Sequence, residues 1–97
     1  MTSIDVQQTA EFRSWLKSLR DRMGARRIVE RLARLEGGLF GDVKYFEGIG
    51  ELRIDAGPGY RVYFVRRGDT IVVLLCGGDK GSQQRDIRKA IAMAEEL

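Results

Sequence analysis

Arg53, Arg61 and Lys80 are the residues of this chain best suited to chemistry. Arg53 lies in Glu51-Leu52-Arg53-Ile54, Arg61 in Gly59-Tyr60-Arg61-Val62-Tyr63-Phe64, and Lys80 in Leu75-Cys76-Gly77-Gly78-Asp79-Lys80-Gly81-Ser82-Gln83. Three cations, with Tyr63 beside them for stacking or hydrogen bonding, suit a phosphodiester, because fixed positive charge stabilises the charge that builds on a phosphorane. Cutting RNA with such a set needs the neighbouring 2′-hydroxyl as nucleophile. Arginine stays protonated and is a poor base, so the set is a weak catalyst alone. The chain has no histidine, which removes the usual acid–base pairs, Ser-His and Cys-His nucleophiles, and the commonest zinc ligand. Cys76 is the single cysteine; it makes no disulfide framework or cysteine-rich metal site and reads as a small core residue. Asp55 and Asp79 are carboxylates that no spacing brings together. Neither a metal nor a cofactor is expected.

The segment Gly77 to Ser82 has the flavour of a phosphate loop but lacks the Gly-x-x-x-x-Gly-Lys-Ser/Thr spacing, which argues against nucleoside triphosphate binding. A looser reading places backbone N–H groups at a helix start, the Ser82 hydroxyl and the Lys80 ammonium around an anion. The plainer reading is a turn that lets a strand reverse into a helix. Both stand at this stage.

The elements that must position these groups follow from periodicity. Ser3 to Gln8 reads as a short strand. Thr9 is a candidate N-cap for a helix carrying Phe12, Trp15, Leu16, Leu19 and Met23 at three- and four-residue spacing. Gly24 breaks the pattern, and a second stripe of Ala25, Ile28, Val29, Leu32 and Leu35 runs to Gly37-Gly38. The two make a helical hairpin, with Trp15 read as packing. From Val43 the period becomes two: Tyr45 and Phe46, then Leu52 and Ile54, then Tyr60, Val62 and Phe64. For these to share one face, pairing across the Gly57-Pro58-Gly59 turn must centre on Gly57, which sets Arg53 directly opposite Arg61. Like charges there repel by about 0.2–1 kcal/mol unless an anion uses them. Gly68-Asp69 reads as a two-residue hairpin turn. Thr70 to Cys76 is apolar enough to be a central strand covered on both faces. Ser82 is read as the cap of a last helix that buries Ile87, Ala90, Ile91, Ala94 and Leu97.

At 97 residues the chain is read as one domain, 1–97. Net charge is only +3, yet Arg13, Lys17, Arg20, Arg22, Arg26, Arg27, Arg31 and Arg34 crowd the first third. The block suits an acidic partner, nucleic acid or protein, or else is a solvated helix face. No apolar run approaches a membrane span, and Met1 to Asp5 lacks the pattern of a leader, so no membrane partner and a cytoplasmic location are expected.

The order of elements, the Glu51-Leu52-Arg53-Ile54 and Gly59-to-Phe64 strands, and Leu75-Cys76-Gly77-Gly78-Asp79-Lys80 before Ser82-Gln83 and Asp86-Ile87 resemble the RelE/ParE toxin superfamily. The likeness is greatest to its phage-derived branch of addiction-module killer proteins, called HigB-like. It implies an α+β, RelE-like fold with an N-terminal strand and helical hairpin packed on an antiparallel sheet, and a C-terminal helix. It further implies a toxin of a type II toxin–antitoxin system, a ribosome-dependent, metal-independent mRNA endonuclease neutralised by a helix-turn-helix antitoxin. The ribosome and mRNA are the implied targets, and operator DNA is reached only through the antitoxin. Arg61 matches the strand arginine on the scissile phosphate, Arg53 a basic position on the preceding strand, and Lys80 a basic residue after the last strand. Tyr63, Ser82 and Lys44 are the expected RNA contacts. The aromatic or histidine that several such nucleases carry near the C-terminus has no counterpart after Tyr63. Two other readings stay open: a non-enzymatic ParE-like inhibitor of DNA gyrase, and a degenerate toxin kept as an interaction module. Arg61→Ala is expected to abolish toxicity and leave the fold intact.

Overall fold

The structure, a computed structural model, describes residues 3–97; Met1 and Thr2, part of the segment read for a leader, lie outside the described residues. In chain order the elements are β1 (Asp5–Gln8), α1 (Ala10–Ser18), α2 (Arg22–Glu36), β2 (Val43–Phe46), β3 (Ile49–Ile54), β4 (Tyr60–Arg67), β5 (Ile71–Asp79), a single 3₁₀ turn (Lys80–Ser82) and α3 (Gln83–Glu96). The five strands form one sheet in the order β1-β5-β4-β3-β2. The sheet is mixed where an antiparallel one was expected: β2 to β5 are antiparallel neighbours, but β1 joins the free edge of β5 in parallel.

Two cores follow from the alternation of the strands. On one face Leu52, Ile54, Tyr60, Val62, Phe64, Val72 and Leu74 pack against Phe12 of α1 and Ile28, Leu32 and Leu35 of α2. On the other, Ile49, Tyr63, Val65, Leu75 and Cys76 pack under Ala90, Ile87 and Ile91 of α3. Burying each such side chain contributes about 1.5–3 kcal/mol. A bulge in β5 lets both Leu75 and Cys76 serve the α3 face, since Tyr63 pairs with Cys76 while Phe64 pairs with Leu74. Leu97, expected in the α3 stripe, is instead exposed; it follows the helix, where Arg67 holds the Ala94 and Leu97 carbonyls.

The helical hairpin breaks at Leu19–Asp21, earlier than Gly24, because Asp21 is a better helix start. Its side chain accepts from the Gly24 N–H at 2.9 Å and from the Tyr60 hydroxyl at 2.9 Å. Gly24 therefore sits in the first turn of α2, where any side chain would strike the Tyr60 ring 2.4 Å away. The Gly24 N–H first, and then the Tyr60 hydroxyl, hold the Asp21 carboxyl below its usual range. A depressed acid stabilises the fold above its unfolded value and stops doing so as pH falls through the folded one. Below the ordinary carboxyl value of 3.8 this contribution should fade, and Asp21→Asn should flatten the acid limb of the melting temperature. Melts between pH 7 and pH 2.5 check this; an acid limb identical in the two proteins would contradict it.

The last hairpin also differs from expectation. Arg67 pairs with Ile71, so the loop is the three residues Gly68–Thr70, with Gly68 at φ +64°, where a two-residue turn was read. β5 then continues through Gly77 and Gly78 to Asp79.

Candidate functional site

β3 and β4 pair in the register centred on Gly57, with Arg53 directly across from Arg61 and Glu51 across from Tyr63. Arg61 stands opposite Gly78 on β5. Each arginine has its own carboxylate. Arg53 is bound by Asp42 at 2.9 Å, a pair in which both partners are well exposed, so it holds orientation more than it adds stability. Arg61 has only 14% of its side chain exposed, and its Nε lies 4.0 Å from Oε1 of a fully buried Glu51. The other Glu51 oxygen accepts from Gln83 Nε2 at 2.9 Å. Glu51 Oε1, Arg61 Nε and the Tyr63 hydroxyl are all buried and have no hydrogen-bond partner among the described residues.

Gly59, at φ +83°, brings the third cation in. A methyl group there would lie 3.5 Å from Arg61 Nη1 and 3.6 Å from Lys80 Cβ, so Arg61 and Lys80 flank the same turn. Arg53 and Arg61 thus share the α3 face at one end of the sheet, and the Lys80 Cβ lies beside the same turn. Arg61 also hydrogen bonds the Tyr60 carbonyl from Nη1 at 3.3 Å.

The other expected contacts fare differently. Tyr63 is fully buried under α3, and its hydroxyl pKa is pushed up by burial first and then by the Glu51 carboxylate. Its ring therefore has no open face to stack on a base. Ser82 makes no side-chain cap to α3; its hydroxyl donates to the Asp86 carboxylate. The Asp79 side chain accepts from Gly81 N–H at 2.8 Å. The protein's own acids thus occupy the helix start that the sequence left open between an anion site and a plain turn. Lys44 is exposed on β2, opposite Glu51 and 5.9 Å over the Phe46 ring. It borders an open cleft of about 420 Å³ with Gln84, Ile87 and Arg88, separate from the arginine pair.

The Gly77-Gly78 pair is not a flexible turn. A Cβ on Gly77 would lie 2.4 Å from the Trp15 ring on one face, and one on Gly78 would lie 1.8 Å from Asp86 Oδ2 on the other. The two glycines thin the strand so that Trp15 and Asp86 can press against its faces. Trp15 is packing, as expected, against Phe12 and Tyr60. Cys76 is buried, and its thiol is pushed up to about 12 by burial foremost. Native protein should resist iodoacetamide at pH 8 and take up one equivalent only when unfolded. Labelling of the native protein at the rate of a free thiol would contradict that.

In the basic block, Arg31 turns inward to the Arg53 and Phe40 carbonyls. The other seven cations are exposed. Lys17, Arg22 and Arg26 rim an open cleft of about 430 Å³ over Leu16, Leu19 and Met23.

Glu51 and Gln83 are the site residues that motif reasoning missed. The signal lay in the register: Glu51 shares the face of Tyr63 and Arg61, where Ile49 and Val65 are buried as well.

A mixed-sheet α+β domain with a helical hairpin on one face, one helix on the other and a cationic strand end between them defines the class. Within it, the chain belongs to the phage-derived Gp49-like protein family (DUF891), whose sequence profile matches residues 10–97. It is also similar to an uncharacterized protein of Haemophilus influenzae, 46% identical over 96 residues and covering 98% of this chain and 97% of that one. Among the described residues, no helix is long and apolar enough to cross a membrane.

Proposed function

We propose that this protein is the toxin of a type II toxin–antitoxin pair, with the RelE-like arrangement of that superfamily, and that it cleaves mRNA on the ribosome. The observation that carries the reading is the cross-strand pair Arg53–Arg61 with Lys80 on the other side of Gly59. Arg61 binds the scissile phosphate through its outer guanidinium edge, and Arg53 and Lys80 add charge along the strand of RNA. Tyr63 plays no direct part, being buried. Among the described residues this end has no exposed histidine or tyrosine; in this reading the ribosome positions the 2′-hydroxyl and supplies the proton transfer. A helix-turn-helix antitoxin silences the protein and tethers it to operator DNA.

Induced expression without a partner is the test of the toxin reading. Growth should stop within a few doublings and resume when a helix-turn-helix gene from beside this one is co-expressed. Undisturbed growth at a verified protein level would contradict the reading. An SOS response with gyrase-linked DNA breaks in place of message loss would redirect it to gyrase.

A further inference from the structure

Glu51 is an ionisable residue with none of its surface exposed, a placement that is expensive unless its oxygens find partners. Its surroundings say what the carboxyl is for. Gln83, at the start of α3, binds one carboxylate oxygen at 2.9 Å. The other oxygen faces Arg61 Nε at 4.0 Å, with both atoms lacking any hydrogen-bond partner among the described residues. Tyr63, directly opposite Glu51, closes the side of the cluster with a ring that is fully buried.

We infer that Glu51 is a positioning residue, anchored by Gln83, that holds the Nε edge of Arg61 from inside the fold and presents the opposite edge to a phosphate. The guanidinium is planar and forked, so fixing one edge fixes the direction of the other. Preset direction reduces the ordering cost paid on binding. The chain Gln83–Glu51–Arg61 also gives the Ser82-Gln83 and Glu51-Leu52-Arg53 segments one shared purpose: α3 is docked on the sheet through the same carboxylate that aims the arginine. This rests on the proposed role of Arg61 toward RNA, but the aiming itself is measurable without RNA.

The test uses the full chain with Glu51→Gln, Arg61→Ala, the double variant and, should Glu51→Gln fail to fold, Gln83→Leu. Nitrogen-15 spectra should show the Arg61 Nε–H as a resolved, exchange-protected signal in the natural protein. That signal should be lost or averaged in Glu51→Gln and in Gln83→Leu. A signal unchanged in both variants would overturn the inference. A short single-stranded RNA, followed by fluorescence anisotropy, gives the second readout. Glu51→Gln should weaken binding about fivefold in the natural background and less than twofold when Arg61 is already alanine. An equal loss in both backgrounds would make Glu51 merely structural and also overturn the inference. RNA binding absent from the natural protein, with the protected Nε–H present, would sink the RNA reading and leave the aiming of Arg61 supported.

Discussion

Arg61→Ala is expected to abolish growth arrest and to lower stability by about 2–3 kcal/mol, just below the roughly 3–5 kcal/mol that removing one partner of a tightly closed buried ion pair costs. The sequence alone suggested that the fold would be untouched, because Arg61 lies off the face that packs on the helical hairpin. It does lie off that face, but α3 covers the face it is on. Only 14% of the side chain is exposed, and its carboxylate partner is wholly buried. Truncation leaves the Glu51 carboxyl buried and held only by Gln83. The 4.0 Å separation, longer than a direct hydrogen bond, keeps the expected cost below that of a tightly closed pair. Adding Glu51→Gln to Arg61→Ala removes the stranded carboxyl, so the double variant should recover at least about 1 kcal/mol while remaining non-toxic. Urea melts and induction on plates separate the two effects. A single variant as stable as the natural protein would show that the pair carries no energy.

Gly78→Ala should be the more damaging change to the fold, by about 3 kcal/mol, with a loss of roughly 10–20 °C in melting temperature for a domain of this size. The added methyl would stand 1.8 Å from Asp86 Oδ2, 2.8 Å from its Cγ and 2.9 Å from Ser82 Oγ. Asp86 is buried and takes the Ser82 hydrogen bond, so its carboxylate cannot swing aside without losing that partner. Either the carboxylate gives up that bond or the first turn of α3, which holds Gln83, lifts. Loss of stability should therefore come with loss of the Arg61 Nε–H signal. Thermal melts decide the first part; a variant within 3 °C of the natural protein would contradict it.

The legible parts of this fold were those written in local alternation. Leu52, Ile54, Tyr60, Val62 and Phe64 required a pairing centred on Gly57, and Arg53 does face Arg61 in that register. The helices were legible from their stripes, although their break was misplaced: a glycine looks like an interruption, whereas the capping carboxylate of Asp21 decides where α2 starts. Gly77-Gly78 was opaque for a related reason. Glycine permits a turn or a thin strand equally, and only Trp15 and Asp86, far away in sequence, choose between them. The parallel pairing of β1 with β5 spans most of the chain and leaves no local mark. In the site, Arg61 and Lys80 were read as cations, and Gly59 stands next to both the Arg61 guanidinium and the Lys80 Cβ. Glu51 was passed over because alternation marks a residue as off one core without saying whether a second core covers it. Ile49, Tyr63 and Val65 on the same parity carried that information.

The most direct measurement is primer extension on a message translated in a purified system, with this protein added. Cuts inside codons in register with the reading frame, present with ribosomes and absent when ribosomes or the Arg61 side chain are removed, are the predicted result. Messages that stay intact while ribosomes translate them, or cuts that appear equally on naked RNA, would contradict the account.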